Sequence, residues 1–151
     1  MQTQLLPQSL YEQDYCLWLE TTLKQLKARN LEYLDWEHLI EEIETLGNEQ
    51  RHKVDSYLAQ LLIHLLLYQY WQQERDYCGR GWENEISNFR LQLDLLFESK
   101  TLFNHFLERI GIIYPKARRQ AVLKTKLPAS TFPEQCPYMP EQILDFDYLP
   151  G

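Results

Sequence analysis

The stretch LLIHLLLYQYW, residues 61–71, decides the fold of this chain. All its side chains are aliphatic or aromatic except those of His64 and Gln69. A helix that is apolar on nearly every side must have neighbours on several sides, either within its own fold or from a partner subunit. The stretch is about half as long as the ~20 residues that a membrane span needs. We therefore interpret it as the core helix of a helical bundle and expect no membrane association.

Amphipathic segments flank this core helix on both sides. Ser9 and Glu12 fit a capping box, after which apolar side chains recur at helical spacing and predict one buried stripe. The stripe consists of Tyr11, Tyr15, Trp18, Leu19, Thr22, Leu23 and Leu26. Asp35 can cap a second helix, whose apolar face consists of Trp36, Leu39, Ile40, Ile43 and Leu46. The pattern along the whole chain predicts helices at about residues 9–28, 36–46, 48–72, 82–98, 100–113 and 116–126.

Three local signals decide where these predicted helices end. Gly47-Asn48 is typical of a helix stop followed by a new cap and favours a break there. The apolar stripe nevertheless continues roughly in register through Val54 and Leu65, so one long helix remains an alternative. Residues 76–81 contain two glycines and are interpreted as a turn. Pro115 is expected to break or kink its helix because proline has no amide donor.

Residues 127–151 differ in composition from the rest of the chain. They contain five of its seven prolines, with aromatic and aliphatic residues between them that can anchor an extended segment. The chain as a whole has only five glycines in 151 residues, which favours helices over turn-rich sheets. We therefore predict an all-α fold, a compact bundle of four to six helices with an extended Pro-rich C-terminal strap, in a single domain of residues 1–151.

The formal net charge of −7 is unevenly distributed. A net acidic chain repels a phosphate backbone, which disfavours nucleic acid as a partner. The exception is a basic patch made of Lys116, Arg118, Arg119, Lys124 and Lys126. It could bind phosphate or an acidic partner, but it has no interleaved aromatic residues on which bases could stack. We expect it to complement the acidic second helix within the fold.

Three widely spaced cysteines indicate the compartment of the protein. Cys16, Cys78 and Cys136 form no C-x-x-C pair, so neither a zinc ribbon nor a redox motif is indicated. Reduced thiols in the cytoplasm are the simplest interpretation. The first residues lack the basic start and the apolar core of a signal peptide, which agrees with a cytoplasmic location.

Acidic residues near the second helix are candidate metal ligands. Metal sites in helical bundles combine inward glutamates with an E-x-x-H pair on each of two helices. Glu49 and His52 form one such pair, and Asp35 with His38 has the same spacing but is better placed as a cap. A second convincing pair is missing. We therefore predict no metal and no cofactor, with Glu49 and His52 as the candidates if a metal binds.

His64 lies in the middle of the core helix and is a candidate general base. Desolvation there lowers the pKa of an imidazole and keeps it neutral near pH 7. A core histidine that is hydrogen-bonded to a carbonyl, a tyrosine or an aspartate has the same property, and this is the interpretation we favour. In a catalytic role, His64 would need an acid such as Asp14 or Glu42.

An aromatic cluster surrounds residues 72–81. Its members are Tyr68, Tyr70, Trp71, Tyr77 and Trp82. Such residues concentrate in protein cores and at the centres of interfaces. We favour the interpretation that they pack in the core. Because no nucleophile motif or phosphate-binding loop is present, we predict a non-enzymatic module for protein interaction or self-association. The alternative is a metal-binding or hydrolytic bundle enzyme that uses His64 or His52 with nearby carboxylates.

The stretch LIEEIETLG, residues 39–47, carries a family resemblance. It resembles the signature of the bacterial, largely cyanobacterial family catalogued as domain of unknown function twenty-nine. Further similar motifs follow in the same order, namely Asp14-Tyr15 with Trp18-Leu19, His64-Leu65-Leu66, Arg80 with Trp82, Pro115 to Arg118, Cys136 to Tyr138 and Leu149-Pro150. The resemblance implies a compact helical protein of the bacterial cytoplasm, and it transfers no catalytic residue.

Overall fold

A computed structural model describes residues 9–151. Within this range the chain contains six α-helices, one 3-10 turn and no strand. The helices are α1 (Leu10–Gln13), α2 (Tyr15–Lys27), α3 (Trp36–Tyr70), α4 (Gln72–Leu96), α5 (Lys100–Thr125) and α6 (Pro140–Leu144), and the 3-10 turn is Ala129–Thr131. The predicted all-α fold is confirmed. In residues 9–151 no helix combines the length and the hydropathy that a bilayer span requires.

The chain forms two compact units, the first ending at Asn48 and the second comprising Glu49–Gly151. The predicted single helix at 9–28 is divided in the first unit, because Asp14 separates α1 from α2. Ser9 caps α1 as predicted, its hydroxyl accepting from the Glu12 amide. Asp14 has extended backbone angles (φ −152°, ψ 90°), and its carboxylate accepts from the Leu17 amide. A side chain that can cap therefore starts a second helix there.

The predicted helix break at Gly47 is wrong. Helix α3 continues from Trp36 to Tyr70, so the alternative of one long helix is the observed one. A glycine inside a helix costs only about 1 kcal/mol relative to alanine. The residues that follow Gly47 bury their stripe in the second unit, with Val54, Leu58 and Leu61 fully inaccessible to water. Burial of that stripe outweighs the weak local stop signal.

The predicted turn at 76–81 and the predicted helix start at 82 are also wrong. Helix α3 ends at Tyr70, Trp71 alone separates it from α4, and α4 passes through both glycines. Gly79 is buried, and a Cβ atom there would lie 3.1 Å from Arg75 Cγ and 4.0 Å from Tyr68 Cε2. Gly79 therefore leaves room for the side chain of Arg75 in the preceding turn of α4, which is a packing role that looks like a turn signal in the sequence.

We expect Gly81→Ala to raise the free energy of unfolding by about 1 kcal/mol, because Gly81 lies inside α4 and a Cβ there meets no atom within 4 Å. Urea unfolding followed by circular dichroism measures the gain. Gly79→Ala is the matched control and should gain less, since Arg75 must move to accommodate the methyl group. A loss of stability in Gly81→Ala would contradict a helix at this position.

Pro115 does not end its helix, so the predicted division into 100–113 and 116–126 is wrong. Helix α5 runs through Pro115 and ends at Thr125, and the next residue, Lys126, adopts the left-handed conformation (φ 59°). Buried residues lie on both sides of the proline, among them Ile113, Tyr114 and Ala117. Their burial holds the two halves in one helix despite the lost amide donor. Ser99 caps α5 through the Leu102 amide.

The C-terminal strap is held by side chains of the second unit. Arg90, which is only 2% exposed, donates to the carbonyls of Gln142, Ile143 and Tyr148 at 2.8 to 3.0 Å. Tyr114 Oη donates to the carbonyl of Pro133 at 2.6 Å. Phe132, Tyr138 and Ile143 of the strap are buried in the core. The strap is less extended than predicted, since it includes the 3-10 turn and α6.

Candidate functional site

A hydrogen-bonded cluster connects α1, α2 and α3 in the first unit. The Glu42 carboxylate accepts from Tyr11 Oη at 3.3 Å and from Tyr15 Oη. The hydrogen bond to Glu42 raises the pKa of Tyr15 to about 12, and burial together with the charge of Glu42 raises the pKa of Tyr11. Both phenols are therefore protonated donors at neutral pH.

Asp35 forms the second part of this cluster. Its Oδ2 atom accepts from Trp18 Nε1 at 3.1 Å and lies 2.7 Å from His38 Nδ1, while the His38 amide donates to Oδ1. The ring of His38 stacks on Tyr11 with centroids 3.9 Å apart. Asp35 is thus the helix cap that the sequence predicts. Burial alone would raise the pKa of Asp35, but the hydrogen bonds from His38 and Trp18 lower it below its usual value.

The hydrogen bond to Asp35 raises the pKa of His38 above its ordinary value of 6.5. A raised folded-state pKa means that protonated His38 stabilises the fold fully below 6.5 and that this contribution is lost as the pH rises through the folded-state pKa. We expect the stability difference between the wild type and His38→Gln to shrink over the pH range that begins at 6.5 and extends upward through the raised pKa of His38.

Urea unfolding across that pH range measures this difference. His52→Gln, at an exposed histidine of the same helix, is the control. A His38→Gln difference that grows with rising pH would contradict the assigned ion pair.

The three candidate catalytic residues have separate partners. Glu42 accepts from two tyrosines, and Asp14 caps α2 through the Leu17 amide at 3.0 Å. Both residues belong to the first unit, whereas His64 belongs to the second. There, His64 Nδ1 lies 2.7 Å from the carbonyl oxygen of Gln60. That contact is the one a core histidine makes, and a catalytic role for these residues remains a prediction.

His64 borders an open groove of about 320 Å³ in the second unit. The groove is lined by Gln60, Ile63, His64, Gln120, Leu123 and Lys124. Burial lowers the pKa of His64, and the charge of Lys124 lowers it further. The described residues therefore supply a neutral imidazole and an ammonium group to this groove, but no carboxylate.

The candidate metal ligands Glu49 and His52 are both exposed. Across residues 9–151, no three side chains of histidine, cysteine, aspartate or glutamate are grouped closely enough to hold a metal ion. His105 and Arg109, which the sequence analysis did not single out, both contact Asp55, at 2.9 and 3.2 Å. This triad links α3 to α5 and has no additional metal-binding side chain.

The predicted aromatic cluster has two different environments. Trp82 is buried, and Tyr68, Tyr70 and Trp71 are half-buried and pack against the core. Trp71 stacks on Trp82 with centroids 5.8 Å apart. Tyr77 is 86% exposed. Four of the five residues thus pack in the core or against it, which is the interpretation that the sequence favours.

The basic patch is divided in a similar way. Arg118 is half-buried and donates to the carbonyls of Ala129 and Phe132, at 2.7 and 3.1 Å, so it holds the strap. The other members are exposed, namely Lys116, Arg119, Lys124 and Lys126. A structural role for Arg118 has no signal in the sequence, because its acceptors are backbone carbonyls.

The first unit contains an apolar groove that the sequence analysis did not identify. Its volume is about 280 Å³, with walls made of Leu19, Leu23 and Leu26 on α2 and Leu39, Ile43 and Leu46 on α3. Trp18 and Thr22 are the buried residues of α2. The prediction that the whole stripe of residues 11–26 is buried is wrong, since Leu19 and Leu23 are 43% and 51% exposed. On α3, Ile43 and Leu46 are 60% and 62% exposed. This apolar groove is the candidate functional site.

Comparisons with known proteins place the chain in a family. No curated protein and no solved structure matches it significantly. One family model, described as "Domain of unknown function DUF29", matches residues 10–149. The match covers nearly the whole sequence and includes both units, in agreement with the resemblance of residues 39–47. The chain therefore belongs to the DUF29 family.

Proposed function

We propose that this chain is a helical protein-interaction module and that the apolar groove of its first unit is the binding surface. One observation carries the proposal. Of the nineteen large apolar or aromatic side chains that are exposed in residues 9–151, ten lie between Tyr15 and Leu46. Four of these ten, Leu19, Leu23, Ile43 and Leu46, line the apolar groove, and contiguous exposed apolar surface marks interaction sites in soluble proteins.

A partner would bind here because covering the exposed apolar side chains of the first unit lowers the free energy. Removing apolar surface from water contributes about 25 cal/mol per Å². In the first unit, Tyr33, Ile43 and Leu46 are each at least 60% exposed, so this contribution is largely unrealised in the chain alone. A partner that covers the groove would realise it. The proposal places this interaction in the bacterial cytoplasm, which the three free cysteines support.

Site-specific photo-crosslinking in cells tests the proposal. A photoreactive residue at Leu46 should form discrete adducts, either with another protein or with a second copy, and these should disappear when Leu23→Asp is added. The matched control is a photoreactive residue at Leu95, which is 56% exposed on α4 in the second unit. Absence of adducts at position 46, or equal adducts at both positions, would refute a binding surface in the groove.

The alternative is a metal-binding or hydrolytic enzyme that uses His64 or His52 with carboxylates. The open groove beside His64, with its neutral imidazole, favours this alternative. It has less support than the interaction module, because the described lining of that groove contains no acid. Metal analysis of protein purified without chelator, together with a hydrolase screen of His64→Ala, tests it.

A further inference from the structure

We infer that the occupant of the apolar groove is a basic, amphipathic α-helix from another protein. This inference rests on the proposed function and adds the chemistry of the partner. It follows from three features of the first unit, namely the length of the groove, the apolar character of its walls and the charge around it.

The dimensions of the groove suit a helix. Its lining extends from Trp18 to Leu26 on α2 and from Leu39 to Leu46 on α3. At a rise of 1.5 Å per residue, each wall is about 11–12 Å long, which is about two helical turns. An amphipathic helix that binds in such a groove inserts side chains at positions i, i+3 or i+4, and i+7. Two to three leucine-sized anchors therefore fit along the walls.

The walls offer the partner almost no free polar group. Among the described lining residues, six are leucine or isoleucine, and the one carboxylate, Glu42, already accepts from Tyr11 and Tyr15. Affinity in the groove itself must therefore come from apolar anchors on the partner.

The charge around the groove indicates the sign of the charge that a partner must have. Residues 9–48 contain nine aspartates and glutamates against three lysines and arginines. On α2, Glu20 is offset by the exposed Lys24 and Lys27, whereas residues 36–46 on α3 contain four glutamates and no lysine or arginine. Cations that flank the apolar face of a partner helix would meet these acids.

The same charges disfavour a second copy in the groove. Two identical first units would bring together two bodies that each have nine acids against three bases in residues 9–48, and net like charge opposes association. A basic partner replaces this repulsion with attraction. Charge complementarity thus selects a basic helix over self-pairing through this face.

Two synthetic peptides of about 18 residues test the inference with the full chain. Both have leucines at i, i+3 or i+4, and i+7. One has lysine at its flanking positions and the other has glutamate. Fluorescence anisotropy should give the lysine peptide at least about tenfold tighter binding than the glutamate peptide, and its affinity should fall as salt is raised.

Variants of the chain separate groove binding from nonspecific attraction. Ile43→Asp should weaken the lysine peptide by about tenfold or more, although it adds a negative charge that would strengthen simple electrostatic attraction. Leu46→Gln, which changes no charge, should also weaken binding of the lysine peptide. It replaces Ile43→Asp as the test if that variant misfolds. Leu95→Asp, an equally acidic change at a site exposed in the second unit, should leave the affinity unchanged.

Each other outcome overturns the inference. Equal binding of the two peptides removes the charge requirement, and unchanged binding in both groove variants removes the site. Dimerisation of the wild-type chain in light scattering that Ile43→Asp abolishes would make a second copy the occupant. In all three cases adducts at Leu46 would still support an interaction module, so failure of the basic-helix inference is distinguishable from failure of the proposed function.

Discussion

Arg90→Met should lower the free energy of unfolding by about 3–5 kcal/mol. The guanidinium of Arg90 is only 2% exposed and donates to three carbonyls, those of Gln142, Ile143 and Tyr148. Methionine fills a similar volume but leaves these acceptors without their donors, and each buried unsatisfied carbonyl costs about 1–3 kcal/mol. Urea unfolding followed by circular dichroism measures the loss.

The matched control is Arg80→Met in the same helix. Arg80 is exposed, so its replacement should change the stability by less than about 0.5 kcal/mol. Limited proteolysis adds a local measurement, because the strap should become cleavable between residues 133 and 148 in Arg90→Met but not in Arg80→Met. A loss below about 1 kcal/mol in Arg90→Met would show that the strap does not depend on Arg90.

Trp18→Ala should lower the stability of the first unit by about 3–5 kcal/mol. Trp18 is 3% exposed, contacts Tyr11 edge-to-face with centroids 5.0 Å apart, and donates to Asp35. Truncation removes these contacts, leaves a cavity and deprives the helix cap of one donor. Hydrogen exchange of the α2 amides measures the effect locally, and urea unfolding measures it for the whole chain.

Trp36→Ala is the control for Trp18→Ala. Trp36 is 49% exposed, so its truncation should cost less than about 1 kcal/mol. The same experiment tests the single-domain prediction. One domain unfolds in one transition that the substitution shifts as a whole, whereas independent units would leave the transition of residues 49–151 in place. An effect of Trp18→Ala no larger than that of Trp36→Ala would contradict the packing of Trp18.

The helix predictions succeeded where a side chain acts on its own backbone. Ser9 and Asp35 are predicted as caps, and each accepts a hydrogen bond from the amide three residues later. Such contacts are short in sequence and depend on nothing outside the turn. The interpretation of residues 61–67 as core is correct for the same kind of reason, since the stretch is too apolar to remain in water wherever it lies.

The predicted helix ends at Gly47, residues 76–81 and Pro115 failed for a common physical reason. A glycine or a proline inside a helix destabilises it by about 1 to 3 kcal/mol relative to alanine. Burial of several large side chains on both sides of such a residue contributes more, at about 1.5–3 kcal/mol for each. Buried leucines follow Gly47, and buried residues lie on both sides of Pro115. Tertiary burial therefore decides these boundaries, and a local signal does not report it.

The candidate site was the least predictable part. The stripes on α2 and on the first part of α3 have the spacing of core residues, and this spacing predicts a buried stripe on α2. The structure leaves Leu23, Ile43 and Leu46 more than half exposed. Spacing reveals that a helix has an apolar face, but it does not reveal whether another helix covers it. The same limit applies to Arg90 and Arg118, whose acceptors are backbone carbonyls far along the chain.

The sequence by itself determined the all-α class, the helix caps Ser9 and Asp35, the apolar core at 61–67 and the family of this protein, because each depends on contacts within a turn, on composition or on local motifs. Only the tertiary structure decided the continuity of α3 and α5, the fixing of the strap by Arg90 and the open groove between α2 and α3. These features depend on which surfaces meet, and the free energy of burying a surface is set by its neighbours in space.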